Sequence, residues 1–371
     1  MSLLFYILFS FLLLYTAMLG WLASGFLRTK RFTPKEKFLQ QPVTIIICAR
    51  NEEKNIGLCL LSVLKQDYTH GRIQLILIND ASSDATVQRA ENILNGSGLN
   101  YRIISNAQQK GKKQSISYAM QFANNPLIIL RDADTFTPSL KWLQAISDFQ
   151  QEHNPDMIIA PVAIANNFGS LWALQAIENN ILAMAACGSA FYNRPFLCSG
   201  ANLIFTKAVF ERVNGYNSHM HIASGDDVLF LEDVKKIPGA KIGYLKSENA
   251  IVHTYPCFSL RQLLNQKIRW ASKFKHNKNM LNLLLAVTSF AANAGWLFLL
   301  VFIYLQPQHK WLCLTFMLYK LLFDFLLLFL ASRFIKNKGL FWFVLPVGCI
   351  YPVYALIVGL ASIFIKPKWK L

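Results

Sequence analysis

Long uncharged stretches lie toward both ends of this chain, with a polar, mixed segment between them. Leu3 to Leu27 runs 25 residues without a charge, Leu281 to Gln308 runs 28, and Gly339 to Ile365 runs 27. Trp311 to Ala331 is largely apolar but holds Lys320 and Asp324. A hydrocarbon core takes about 20 apolar residues per helix, so each stretch is long enough to span it. The polar segment, 28–279, carries 19 of the 20 acidic residues. The layout predicts a transmembrane helix at 1–27, a soluble domain at 28–257, an amphipathic interfacial helix at 258–279 and a membrane region at 280–371 with about three spans.

Within the soluble segment the pattern shortens. Val43 to Cys48 is a β-branched run that reads as a buried strand, as do Ile73 to Ile78, Tyr101 to Ser105 and Pro126 to Leu130. Between them, Asn51 to Gln66, Thr86 to Leu94 and Lys112 to Ala123 read as helices; Ile56, Leu60, Val63 and Leu64 share one face of the first. Alternating strands and helices predict an α/β domain, a mostly parallel sheet with helices on both faces. Ligands of such sheets bind at the carboxyl ends of the strands, so the polar residues just after each apolar run are the candidates.

Composition agrees with the membrane reading. Of 371 residues 54% are hydrophobic and 15% charged, against about 25% charged in an ordinary soluble chain. Disorder, collagen and a small disulfide scaffold are excluded. Lysine plus arginine number 37, and the net charge is +17. No positive charge precedes the first apolar run, which is too long for a signal-peptide core, so an uncleaved anchor is expected. Arg28, Lys30, Arg31, Lys35 and Lys37 follow it, and the positive-inside rule then places the soluble domain in the cytoplasm of an inner or plasma membrane protein. The loop with Arg333, Lys336 and Lys338 would be cytoplasmic too if the next two spans cross. The tail lysines Lys366, Lys368 and Lys370 would then lie outside, against the rule. Pro346, Gly348 and Pro352 leave a kinked or a re-entrant last span open. The seven cysteines form no C-x-x-C pair, which argues against a disulfide framework or zinc site and fits reduced cytoplasmic thiols.

Carboxylates stand at three of the expected places. Asp80 directly follows IQLILI; a helix N-cap, by it or by Ser82 or Asp84, is the plain alternative. Asp132 and Asp134 flank Ala133 directly after LIILR. Their hard oxygens suit Mg2+ or Mn2+, which also takes phosphate oxygens; a solvated turn is the alternative. Asp226 and Asp227 follow Gly225 and head the apolar run VLFL, as a general base or as helix-dipole partners. Lys110, Lys112 and Lys113 surround Gly111 before a helix, which suits a phosphate or is a solvated loop. Gln266-Lys267-Ile268-Arg269-Trp270 sits in a basic amphipathic stretch, Phe258 to Phe274, with Leu260, Leu263, Leu264 and Ile268 on one face. Contact with anionic lipid is one reading, a diphosphate and acceptor pocket the other. Trp172 to Ala186 reads as a long apolar helix. His253 and Tyr255 precede the interfacial stretch, the histidine read as structural, and Lys320 with Asp324 reads as a neutralising pair.

In this order, ICARNEE at 47–53, NDASSD at 79–84, GKK at 111–113, DAD at 132–134, GDD at 225–227 and QKIRW at 266–270 resemble the membrane-bound family 2 inverting glycosyltransferases. Cellulose, chitin and hyaluronan synthases and ceramide glucosyltransferases are of that type. The resemblance implies a GT-A type domain. It places Asp80 on the uracil or ribose of a nucleotide sugar, with the Ala49-Arg50-Asn51-Glu52 loop near the base. It puts Asp132 on the ribose or sugar and Asp134 on a divalent metal, with Lys112 near the diphosphate. Asp227 becomes the base that deprotonates the acceptor hydroxyl, with Asp226 the alternative. Gln266, Arg269 and Trp270 would close over diphosphate and acceptor. The resemblance also implies a UDP-sugar donor and a lipid or saccharide acceptor; nucleic acid is not an expected partner. Ser199-Gly200-Ala201-Asn202 resembles the acceptor-side segment. Two departures are Gly225-Asp226-Asp227 where many members carry Thr-Glu-Asp, and Asn79-Asp80-Ala81-Ser82 where the turn is usually Asp-Asp-Gly-Ser. Single transfer competes with processive synthesis and export, and with a nucleotide-binding protein that has lost turnover.

Overall fold

The computed structural model describes residues 2–35, 38–222, 225–272, 279–337 and 339–364. Lys37, Ala223, Ser224, Phe274, Lys338 and the tail lysines lie outside the described residues. In chain order the principal elements are α1 (Ser2–Arg28), β1 (Val43–Ala49), α2 (Ile56–Leu64), β2 (Ile73–Asn79), α3 (Thr86–Leu94), β3 (Asn100–Ser105), α4 (Lys112–Met120), β4 (Leu127–Asp132) and β5 (Thr135–Phe136). Then come α5 (Trp142–His153), β6 (Met157–Ile159), β7 (Val162–Ile164), α6 (Ser170–Phe191), β8 (Leu203–Thr206), α7 (Lys207–Arg212), α8 (Val228–Lys235), β9 (Ile242–Tyr244) and β10 (Val252–Thr254). Four further helices close the chain: α9 (Leu260–Ser272), α10 (Met280–Leu305), α11 (Lys310–Ile335) and α12 (Val344–Phe364). They group into two compact units.

The first unit, Arg28–Ile164 with Ser189–Tyr255, is built on a seven-stranded sheet in the order β3-β2-β1-β4-β8-β6-β9. β1, β2, β3 and β4 run parallel, while β8 runs antiparallel to both β4 and β6. A three-stranded sheet, β5-β10-β7, accompanies it. β1 is buried nearly end to end, as a strand covered on both faces must be. Val43, Ile45 and Ile47 point to one face and pack with Ile56, Leu60 and Val63 of α2 and with Trp142 of α5. Each such side chain contributes roughly 1.5–3 kcal/mol by leaving water. Helix α2 begins at Ile56 rather than at Asn51, because Asn51 takes a left-handed φ of 53° and the residues after it form a loop tied to the neighbouring β2–α3 turn.

The second unit, Met1–Leu27, Ala165–Gly188 and Pro256–Leu371, is helical. Four helical stretches in it, Phe5–Arg28, Met280–Leu305, Pro307–Ile335 and Leu340–Phe364, are long and apolar enough to cross a membrane. They expose large apolar side chains such as Tyr304, Trp311 and Leu345. α12 continues through Pro352. A Cβ on Gly188 of α6 would overlap the Leu22 carbonyl of α1, so only glycine lets the two backbones approach this closely. The Lys320 ammonium lies 2.7 Å from Asp324, which also accepts a 2.7 Å hydrogen bond from the Tyr15 hydroxyl, so the charged pair in α11 is tied to α1.

Candidate active site

Register sets the site. Cys48 of β1 lies opposite Asp132 of β4, and Ala49 lies opposite Asn79 of β2, so Asp80 and Asp132 flank the end of β1. The strand order reverses there, since β2 and β4 sit on opposite sides of β1, and the crevice at such a reversal is where α/β sheets bind ligands. β8 arrives antiparallel with Leu203 opposite Leu130, which brings Ser199 to Asn202 to the same edge.

At the centre stands Lys112, the first residue of α4. Its ammonium donates to Asp132 Oδ1 at 2.7 Å and lies 2.7 Å from Asp226 Oδ2. Burial alone would lower the pKa of Lys112, but the two carboxylates outweigh it and hold the ammonium well above its usual range. A Cβ on Gly200 would lie 2.8 Å from both Asp226 Oδ2 and Lys112 Nζ, so the glycine makes room for the pair. Asp227 caps α8, its Oδ1 accepting from the Val228 amide at 2.7 Å and its Oδ2 from the Gly200 amide at 3.4 Å. The Cys48 thiol, near the acids, is pushed up to about 12 by burial and stays protonated. The buried Tyr216 hydroxyl is raised well above its normal range, first by burial and then by Asp226.

Asp80 is buried and organises the loop that presents Lys112. Its Oδ1 accepts from the Lys110 amide at 2.8 Å, Asn106 Nδ2 at 2.9 Å and the Ser115 hydroxyl at 3.4 Å; Oδ2 accepts from the Gly111 amide at 2.9 Å. Gly111 needs its glycine for a φ of 86°. The Ala49–Glu53 loop is laced to the 79–86 turn: Asn51 N donates to Ser82 Oγ, Glu52 N to Thr86 Oγ1 and Glu53 N to Asp84 Oδ2, while the Ser83 amide donates to Asn51 Oδ1. Asp84 is thus a structural partner. Burial would raise its pKa, but the Thr86 hydroxyl and the Glu53 and Thr86 amides outweigh that and lower it. The Glu52 carboxylate accepts from Asn55 Nδ2 at 2.7 Å. Arg50 Nη1 is buried and has no hydrogen-bond partner in the structure.

Asp134 follows β4 and is half-buried. The turn is supported from below by Arg131, almost fully buried, which donates to Ser62 Oγ at 2.7 Å and to Thr135 Oγ1 at 3.1 Å and stacks on Trp142. Burial lowers its pKa. Asp132 and Asp134 offer hard oxygen donors, and the position already attracts a cation in the form of Lys112. Among the described residues no group of three or more His, Cys, Asp or Glu side chains could hold a metal ion. The donor set therefore fits Mg2+ or Mn2+ only as a site completed by phosphate and water oxygens.

Beside Lys112, the Lys113 ammonium lies 2.9 Å from His219 Nδ1 and donates to the carbonyls of His219 at 2.8 Å and Ile222 at 3.0 Å. It thereby holds His219 and Ile222 together. His253 and Tyr255 pack on Phe136, with ring centroids 5.6 and 5.5 Å away. Burial lowers the pKa of His253. Gln266, Arg269 and Trp270 lie on α9, in the helical unit. There Lys267 is buried, pairs with Glu178 of α6 and sits 4.4 Å over the Trp270 ring.

Asp80, Lys112, Asp132, Asp226 and Asp227 thus converge at one sheet edge. Sequence reasoning placed Lys112 near a phosphate but missed its carboxylate partners, and it missed Tyr216, whose only signal was an aromatic between Gly215 and the GDD segment. Gly200 was flagged by its motif, but its contact with the Lys112–Asp226 pair was not.

Comparison with known proteins fits this arrangement. The chain is 25% identical over 208 residues to an uncharacterized glycosyltransferase of Haemophilus influenzae, covering 52% of this chain and 58% of that protein. It is 26% identical over 132 residues to an N-acetylglucosaminyltransferase of Bradyrhizobium elkanii, covering 35% and 70% respectively. The mannosyltransferase PcManGT from Pyrobaculum calidifontis, solved with GDP-Man and Mn2+, superposes with a TM-score of 0.60 at 15% identity, covering 98% of this chain and 97% of that one. It shows the shared fold, a GT-A-like α/β domain with long apolar helices. Residues 44–213 match the model of glycosyl transferase family 2, and this segment is therefore a glycosyltransferase family 2 domain.

Proposed function

We propose that the chain is a membrane-bound inverting glycosyltransferase that moves a sugar from a nucleotide sugar, a UDP-sugar by preference, to a hydroxyl of a lipid or saccharide acceptor. The observation that carries this is the meeting of Asp132, Asp226 and Lys112 at the reversal point of the sheet in a family 2 domain. In this reading the Ala49–Glu52 loop, with the orphaned Arg50 Nη1, and Asp80 bind the nucleoside. Asp132 orients the ribose or sugar, and Asp134 with the donor's phosphates would hold Mg2+ or Mn2+. When bound, that ion neutralises charge on the departing diphosphate. Lys112 adds positive charge to the same leaving group, the electrostatic contribution that is commonly the largest.

Asp227 takes the proton of the acceptor hydroxyl as that oxygen attacks opposite the leaving group, which inverts the anomeric centre. General-base help of this kind contributes on the order of 10²–10⁴-fold. Its N-cap bond to the Val228 amide fixes the carboxylate at the head of α8. The four apolar stretches hold the chain in the membrane, with the domain in the cytoplasm.

A screen of the full-length protein with labelled UDP- and GDP-sugars, in membranes carrying endogenous lipid, tests this. One donor is expected to yield free nucleoside diphosphate together with labelled lipid or saccharide. The absence of both donor consumption and protection by any nucleotide against heating would overturn it.

A further inference from the structure

The cation in the acid cluster belongs to the protein itself. The Lys112 ammonium contacts Asp132 and Asp226 at 2.7 Å each, with side-chain exposures of 20% for the lysine, 36% for Asp132 and 12% for Asp226. The three residues come from the start of α4, the end of β4 and the segment heading α8, so the contact ties separate parts of the domain together. The fit is close, because one methyl group on Gly200 would strike both Lys112 and Asp226. A free divalent ion approaching Asp132 must therefore displace an ammonium from two carboxylates in a partly dry site, where salt screens little.

We propose that Lys112 is a resident counter-cation that keeps divalent metal out of the donor-free site and makes metal binding depend on the nucleotide. This rests on the glycosyltransferase reading for what the nucleotide does there. A nucleoside diphosphate offers the ammonium a competing anion. When Lys112 turns to that diphosphate, Asp132 and Asp226 lose that counter-charge, and Asp132 joins Asp134 and the phosphates in a site for a divalent ion. Metal and donor then enter as a unit.

The test is Mn2+ binding followed by electron paramagnetic resonance in the detergent-solubilised full-length protein, first with Mn2+ alone and then with UDP or GDP. The wild type is expected to bind Mn2+ weakly alone and at least tenfold more tightly with one of the nucleotides. Lys112→Met is expected to bind Mn2+ alone at least tenfold more tightly than the wild type, and Asp132→Asn added to it is expected to remove that gain. Lys112→Gln, which keeps hydrogen-bonding capacity without the charge, makes the same comparison should the methionine variant not fold. Equal Mn2+ affinity of wild type and variant without nucleotide, or a gain that survives Asp132→Asn, overturns the proposal. Failure of both nucleotides to change Mn2+ binding or melting in any variant counts instead against the glycosyltransferase reading, while the nucleotide-free arms still decide the role of Lys112.

Discussion

Lys112 and Asp226 sit 2.7 Å apart beside Gly200, where a Cβ would be 2.8 Å from both charged groups. Gly200 has no left-handed φ, and the atoms it would strike are side-chain ends. Gly200→Ala is therefore expected to move the ion pair rather than the backbone. The melting temperature should fall by only a few degrees while the transfer rate drops at least tenfold, since displacements of about 1 Å at a reacting centre can cost on the order of 10²-fold. Melting curves and initial rates on one preparation check this; an unchanged rate would show that the pair's position does not matter.

Asp227→Asn keeps the size and an N-cap acceptor for α8 but loses the carboxylate proposed as the base. Transfer is expected to fall by 10² or more while nucleotide binding stays within about threefold. Isothermal titration alongside product assays separates the two effects. Equal loss of binding would move the base role to Asp226 or elsewhere.

His219 couples folding to pH. Burial, and then the adjacent Lys113 ammonium, lower its pKa from 6.5 to about 4. The folded protein thus resists the proton that the unfolded chain accepts below about 6.5. This contribution to stability is complete above pH 6.5 and is lost as the pH falls toward 4, on the order of 3 kcal/mol across that window. His219→Gln should flatten the pH dependence of the melting temperature between 6.5 and 4.5 relative to wild type. Parallel pH curves would show that His219 does not carry the coupling.

Chelation separates metal-assisted from metal-free transfer. EDTA is expected to stop turnover, and Mn2+ or Mg2+ added in excess is expected to restore it. Full activity in EDTA would assign the electrostatic work to the protein's own cations, Lys112 first among them.

Much of the fold was legible because parallel strands buried on both faces must be apolar runs, and VTIIIC, IQLILI and LIIL are such runs. Their polar followers, Asp80 and Asp132, fell at one edge because all parallel strands end there. The antiparallel direction of β8 was not legible, since LIF is equally apolar read either way. The start of α2 was misplaced because the hydrogen bonds of Asn51 and Glu52 to Ser82, Ser83 and Thr86 are tertiary and override helical periodicity. The pairing of Lys112 with Asp226 joins residues far apart in the chain, and no local pattern encodes it. The charged pair in the helical unit was visible from its i,i+4 spacing, but its third member, Tyr15, was not.

The most direct test of the convergence at this sheet edge is an experimental structure of the full-length protein with UDP and Mn2+. The expected map places the diphosphate against Lys112, with Mn2+ between the phosphates and Asp134 and the nucleoside beside Asp80. Nucleotide density on any other surface, with the contacts of Lys112 to Asp132 and Asp226 unchanged, would contradict it.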